Sequence, residues 1–311
     1  MGPFEQYHPN DDTSRSLATL GIASLTSIVL LFVLDVPSSL NTTGESFTLD
    51  SWAYPVLLWH LLCLSVCASA IVYMFRMKTG HMVVRSHELK KDVLIHPLGI
   101  HKFVTFSSWT LILTVVFFAL ATLASVLFLN DASLPTWLKQ AMSAMFVTAL
   151  GASFLTSTVV RFVILPGNHT DEEHHRRQFW FHNQVMHNFC TVFLVVEILL
   201  TTPQLEWTYM FLGILIGLTY AIFALPFAFF GGGYYCYSFI DPRLQKGPLF
   251  IGLLAFAISF SYVGVWLVTE LISLYFAAGA LLLILWAAKI VQFKPLNDVR
   301  SGGRAEKQSS I

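Results

Sequence analysis

Charge is scarce in this sequence. Asp, Glu, Lys and Arg make up only 12% of its 311 residues, and the two signs cancel at 18 against 18. An ordinary soluble chain carries about 25% charged residues. With 55% hydrophobic residues, a soluble fold of this length would expose large apolar patches. The shortage excludes a cytosolic globular enzyme and a disordered chain, and the lack of a basic surplus excludes a nucleic-acid binder. Cysteine is scarce too. Cys63, Cys67, Cys190 and Cys236 fall in or beside apolar runs, which predicts neither a disulfide framework nor a zinc site. No internal repeat is visible, and the low-complexity sequence is confined to the short polar tail 298–310.

What the chain has in abundance is long apolar runs. A helix of about 20 apolar residues crosses the hydrocarbon core of a bilayer. Eight such runs are readable, roughly 17–35, 53–75, 103–129, 136–160, 180–201, 207–231, 248–269 and 271–293. Between Pro248 and Phe293 only Glu270 and Lys289 are charged. One helix of that length would far exceed the bilayer at about 1.5 Å per residue, so two spans with a tight turn near Glu270 are expected. Eight spans put both termini on one side, and 17 of the 18 basic residues fall on that side, Lys139 being the exception. By the positive-inside rule that side is cytoplasmic.

The expected fold is therefore an all-α polytopic membrane bundle. A cytoplasmic segment 1–16 precedes a transmembrane domain 17–293, and a cytoplasmic polar tail 294–311 follows it. Segment 1–16 holds Glu5, Asp11 and Asp12 and a single basic residue, a poor signal-peptide start, so the first span is expected to be a retained anchor. The loop 36–52 would be lumenal or extracellular, where Asn41-Thr42-Thr43 is a candidate glycosylation site. Asn168-His169-Thr170 would be silent in a cytoplasmic loop. The host membrane is expected to be the endoplasmic reticulum or the plasma membrane.

Ionisable groups inside a span are costly and face the bundle interior. His60, Thr105, Arg161, His187 and Glu197 stand out, followed by His182. Thr105 opens the third span, where a threonine ordinarily caps the helix. His187 lies in the fifth span, where a buried histidine ordinarily bonds a neighbouring helix, but histidine is also the side chain suited to proton transfer near neutral pH. Both spans enter from the cytoplasm, and the two depths agree to within roughly 10 Å. A hydroxyl with a histidine is the minimum pair for nucleophilic attack on an ester carbonyl. Glu197 lies about 15 Å deeper, too far to orient the imidazole. A structural partner on another helix is expected for it, with the floor of an acyl pocket as the alternative. Asn183, one turn before His187 on the same face, is the better candidate orienter. His81, His87, His96, His101, His169, His174, His175 and His182 crowd the cytoplasmic loops, but apart from the adjacent His174 and His175 their spacings of five or more argue against a di-metal centre. Ser107 and Ser108 are candidate oxyanion donors that otherwise read as helix-start residues.

Lys102-Phe103-Val104-Thr105-Phe106 before a long span resembles the first signature of the androgen-induced membrane protein family. Asn183-Gln184-Val185-Met186-His187-Asn188-Phe189, with Glu197 ten residues after the histidine, resembles its second. Arg161-Phe162-Val163-Ile164-Leu165-Pro166 and Ala224-Leu225-Pro226-Phe227 are similar to its intervening and later elements. The similar body covers roughly 53–270. It departs at Gln184, where the family often has histidine, and in its extra first and eighth spans. The resemblance implies a multi-pass hydrolase of fatty acid esters of hydroxy fatty acids, with Thr105 as nucleophile and His187 as base. Asn183 and Glu197 would be in support, with no metal and no organic cofactor. The expected partners are a lipid ester and the bilayer. Phe193 to Tyr220 resembles, more loosely, the rolling-stone family, which implies a non-catalytic scaffold or receptor.

Overall fold

The computed structural model describes residues 6–7, 11–48, 52–167 and 172–295. The fold is a mostly helical bundle, and seven of its helices are long and apolar enough to cross a membrane. Helix α1 (Thr13–Val33) leads to the short α2 (Val36–Glu45), then α3 (Ala53–Arg76), α4 (Phe106–Leu129) and α5 (Thr136–Val159). A π-helical turn, Val160–Ile164, carries α5 into the single-turn α6 (Leu165–Gly167). After α7 (Glu172–Arg177), a second π-turn at Val185–Phe189 joins α8 (Phe181–Gln184) to α9 (Cys190–Thr201). Helix α10 (Met210–Pro226) ends in a third π-turn, Phe227–Gly231. The long α11 (Gly247–Leu274) and the shorter α12 (Phe276–Ile290) close the bundle.

Helix α5 runs through the centre, packed against α2, α4, α9, α10, α11 and α12. Its small residues allow this. Hydrophobic collapse does not drive helices together in lipid, so close backbone approach through Gly, Ala and Ser takes over. A Cβ on Gly151 would sit 3.3 Å from Cβ of Tyr262 on α11. On its other side α5 is stitched to the α8–α9 helix by Ser157, whose hydroxyl donates to the His187 carbonyl, and by Thr191, which donates to the Ser153 carbonyl at 3.1 Å.

Three sequence expectations change. The last two helices break at Tyr275 rather than near Glu270: α11 runs one turn further and the backbone turns at φ −142°, ψ 80°. Glu270 is exposed on the surface of α11 and does not force a turn. Loop 36–52 contains α2, with Pro37 in its first turn, and the first sequon falls inside this helix. Thr43 of that sequon is buried, bonded to the Gln204 carbonyl at 2.6 Å. The sequon Asn168-His169-Thr170 lies outside the described residues. Finally, the fold is not purely helical. Strands β1 (Met82–Ser86), β2 (Asp92–Ile95) and β3 (Tyr234–Tyr235) form an antiparallel sheet in the order β2-β1-β3. β1 and β2 are rich in Val, Leu and Ile and flank a polar turn in which Lys90 takes φ +52°, the pattern of a hairpin.

The sheet defines one end of the bundle. It ties the α3–α4 connection to the segment after α10. The N-terminal segment joins there too: Tyr7 bridges Leu244, and its hydroxyl donates to Asp241 at 2.9 Å. Gln292, just past α12, exchanges hydrogen bonds of 2.8 and 2.9 Å with Asn188, so α12 returns the chain to this end. At the other end α2 meets the first turn of α5 and the connection after α9, through Lys139–Glu45 at 2.7 Å and Thr43–Gln204.

Candidate functional site

Thr105 is the N-cap of α4. Its backbone is extended, and its Oγ1 accepts the Ser108 N–H at 3.2 Å. The same oxygen lies 2.7 Å from Ser108 Oγ and 3.2 Å from Ser107 Oγ. The Ser108 and Trp109 N–H groups bond the Thr105 carbonyl. The two amides ahead of them, Phe106 and Ser107, face the hydroxyl of Tyr237. These amides and the Ser107 hydroxyl favour a phenolate, but burial outweighs them and pushes the Tyr237 phenol above its ordinary range.

Lys102 positions the start of α4. Its ammonium donates to the Met74 carbonyl at 3.0 Å and to the Met77 carbonyl. It therefore caps the C-terminal turn of α3 with the charge that the helix end favours. Burial lowers its pKa from the ordinary lysine value.

His187 sits at the middle of the second π-turn. A π-turn inserts one residue into the helix and is used to re-aim side chains, often at functional sites. Here it leaves the His187 carbonyl free for Ser157, and Asn188 bonds Gln184 Oε1 at 2.9 Å as well as Gln292. The His187 Nδ1 is buried and has no hydrogen-bond partner. The same is true of His182 Nδ1 and Gln184 Nε2. Three orphaned polar atoms in one segment mark a place where water or a ligand completes the bonding.

Thr105 and His187 line one cavity of about 360 Å³ at the sheet end of the bundle, together with Lys102, Ser107, His182 and Asn183. No hydrogen bond joins Thr105 to His187; the described partners of the Thr105 hydroxyl are Ser107 and Ser108. A second, more apolar cavity of about 340 Å³ lies behind the first, and His187, Ser107, Cys236 and Tyr237 line both. Burial pushes the Cys236 thiol up to about 12, so it stays protonated and is a poor nucleophile.

The other sequence candidates go elsewhere. Asn183 lines the first cavity but donates to the Arg177 carbonyl at 2.7 Å and is not bonded to His187. The turn that ends α7 brings that carbonyl closer than the imidazole. Glu197 is fully buried among three helices. Its carboxylate takes the Trp59 indole N–H at 3.0 Å and contacts His60 Nε2 at 3.1 Å, while His60 Nδ1 reaches Ser125 at 3.0 Å. It lines neither of these two cavities. Arg161 lies in the first π-turn. Among the described residues no three His, Cys, Asp or Glu side chains gather as metal ligands would. The residues that sequence reasoning passed over are Tyr237 and Ser157; neither sits in a motif, and both are recognisable only once α4, α5 and the 232–246 segment are brought together.

No family model, no curated protein and no solved structure matches this chain.

Proposed function

We propose that this chain is an integral-membrane lipid esterase with Thr105 as nucleophile and His187 as general base. The observation that carries the reading is the shared cavity: the two residues that the sequence pairs by depth line one space, beside orphaned polar atoms. The Thr105 oxygen attacks the ester carbonyl carbon. Its proton passes to His187 through the Ser107 hydroxyl or one cavity water. The oxyanion forms in front of the Phe106 and Ser107 amides, the first free N–H groups of α4, where Tyr237 now rests. His187 then protonates the leaving alkoxide. Water, deprotonated by His187, attacks the acyl-threonine and releases the acid, restoring Thr105.

The substrate class, fatty acid esters of hydroxy fatty acids, follows from the family resemblance. No metal or organic cofactor enters this chemistry. The topology that goes with it has α12 as the eighth span, with both termini cytoplasmic. Support comes from the basic residues of the sheet end and from the return of Gln292 to that end. Tags on both termini of the protein in sealed microsomes test the topology: both should be digested by added protease, and protection of one would remove the eighth span. The chemistry is tested with membranes carrying the protein and a branched ester of a hydroxy fatty acid. Hydrolysis should vanish in Thr105→Ala and His187→Ala at matched expression.

A second reading has an observation of its own. Thr105 serves fully as a helix cap, which is all that a non-catalytic scaffold of the rolling-stone kind requires. Absence of hydrolysis across several ester classes would favour it.

A further inference from the structure

The apolar cavity behind His187 is built from four parts of the bundle: Phe106 at the start of α4, Leu155 and Val159 on α5, Tyr220 on α10 and Leu254 on α11. Its lining is mostly apolar, with Thr156, Tyr237 and Ser238 among the polar side chains. His187 and Ser107 form the wall toward the nucleophile, and the Arg85–Asp92 pair, 2.7 Å apart, closes the end near the sheet. A concave, mostly apolar space with a few convergent polar groups is the usual form of a small-molecule site.

The cavity also has a mouth. Val83 on β1 and Val163 on the first π-turn line both cavities, yet they are 52% and 64% exposed. Val163 belongs to the membrane-crossing stretch Thr136–Ile164, and its neighbour Phe162 is 49% exposed. In a membrane-spanning chain the exposed side chains of that stretch, Phe162 and Val163, meet hydrocarbon, while Val83 lies on the sheet between two such stretches. The π-turn therefore has one face toward the lipid and the other toward the cavities, with Ile164 beside Val163 on the inner wall. A polar ligand would find no partner on this route, whereas a lipid chain would exchange one apolar surrounding for another.

We propose that this second cavity binds a single acyl chain, which enters sideways from the cytoplasmic leaflet between Val83 and Val163 and brings its ester to the His187–Ser107 wall. The chain lies toward α5, α10 and α11, away from the Glu197 cluster. What happens to the ester rests on the esterase reading; the binding does not.

The experiment uses the full-length protein in nanodiscs and an alkyne-tagged fatty acid ester of palmitate length with a diazirine at the end of its chain. After irradiation, adducts are mapped by mass spectrometry, and hydrolysis is read in parallel. Adducts are expected around Leu155 and Leu254. Val163→Trp, at an exposed position that the fold tolerates, and Leu254→Trp, inside the cavity, should each lower them by about tenfold, with size-exclusion profile and melting unchanged. Should Leu254→Trp fail to fold, Val163→Trp decides alone. Adducts confined to lipid-facing residues such as Phe256 and Phe260, or unaffected by Val163→Trp, would overturn the proposal. So would labelling of the cavity by a photoactivatable sterol in place of the acyl probe. Cavity labelling without hydrolysis of any ester would overturn the esterase and leave the acyl site standing, whereas hydrolysis without cavity labelling would do the reverse.

Discussion

His60 Nε2 lies 3.1 Å from Glu197 Oε1, with both side chains completely buried in the apolar part of the bundle. Every polar atom of the pair is used, since Trp59 takes the second carboxylate oxygen and Ser125 the second ring nitrogen. The cluster therefore locks α3, α4 and α9 to one another. Removing one member leaves the other buried and uncompensated, at a cost of about 3 kcal/mol or more, although hydrogen bonds between membrane helices often contribute less than about 2 kcal/mol each. Glu197→Ala is expected to lower the melting temperature in detergent clearly. The double variant with His60→Ala should lose less than the sum of the single losses. Strict additivity in that cycle would show that the pair is not coupled.

Thr105 has a structural role and a proposed chemical one, and the two separate experimentally. Asparagine caps a helix at least as well as threonine but supplies no hydroxyl. Thr105→Asn should melt within about 0.5 kcal/mol of the unmodified protein and hydrolyse no ester. Thr105→Ser should retain both properties. Full hydrolysis by Thr105→Asn would remove Thr105 from the chemistry.

The sheet end is expected to respond to acid through His87. Its pKa is lowered by burial first and then by Arg243 and Lys90, with Asp241 opposing. Its ring packs on Phe229 and Tyr235. The folded-state pKa lies below the unfolded value of about 6.5, so the unfolded state binds the proton first. The contribution of His87 is intact above about pH 6.5 and is lost as the pH falls from there toward the folded pKa. Amide exchange in 82–95 and 234–241 should quicken between neutral and mildly acid buffer, and His87→Phe should remove most of that change. An unchanged acid response in this variant would assign it to another group.

Lys102 holds the last carbonyls of α3 with its ammonium. Lys102→Met keeps the apolar stem and loses those bonds, which at about 1.5–3 kcal/mol for a charged donor should lower the melting point by several degrees. The start of α4 should loosen with it, read as faster amide exchange at 103–108. A melting point equal to that of the unmodified protein would show that water replaces the ammonium without cost.

The helices were legible because hydrophobic length is a strong signal. Runs such as 106–129 and 136–159 have no other stable use than as buried or membrane-spanning helices. The turn between the last two was misplaced because Glu270 is the one charge near the middle of the region, while the break at Tyr275 carries no Gly or Pro. The hairpin 82–95 was missed because two strands of five and four residues give little periodicity beside spans of over twenty. At the site, helix spacing brought Thr105 and His187 to a similar depth, and they do line one cavity. The π-turn at 185–189 was invisible, because its tertiary partners, Ser157 on the His187 carbonyl and Gln292 on the Asn188 side chain, lie far away in sequence. Asn183 shares the cavity but its amide goes to the Arg177 carbonyl, a partner that the one-turn spacing to His187 does not reveal.

The bonds between Asn188 and Gln292 set an order of events during synthesis. The π-turn that aims His187 belongs to the middle of the chain, but one of its clamps arrives only after α12 has been made and has returned to the same end of the bundle. A nascent chain halted before residue 292 carries Thr105 and His187 with that clamp open. One clamp of the π-turn thus comes from 104 residues further along the chain than Asn188, and that bond waits for the synthesis of α12.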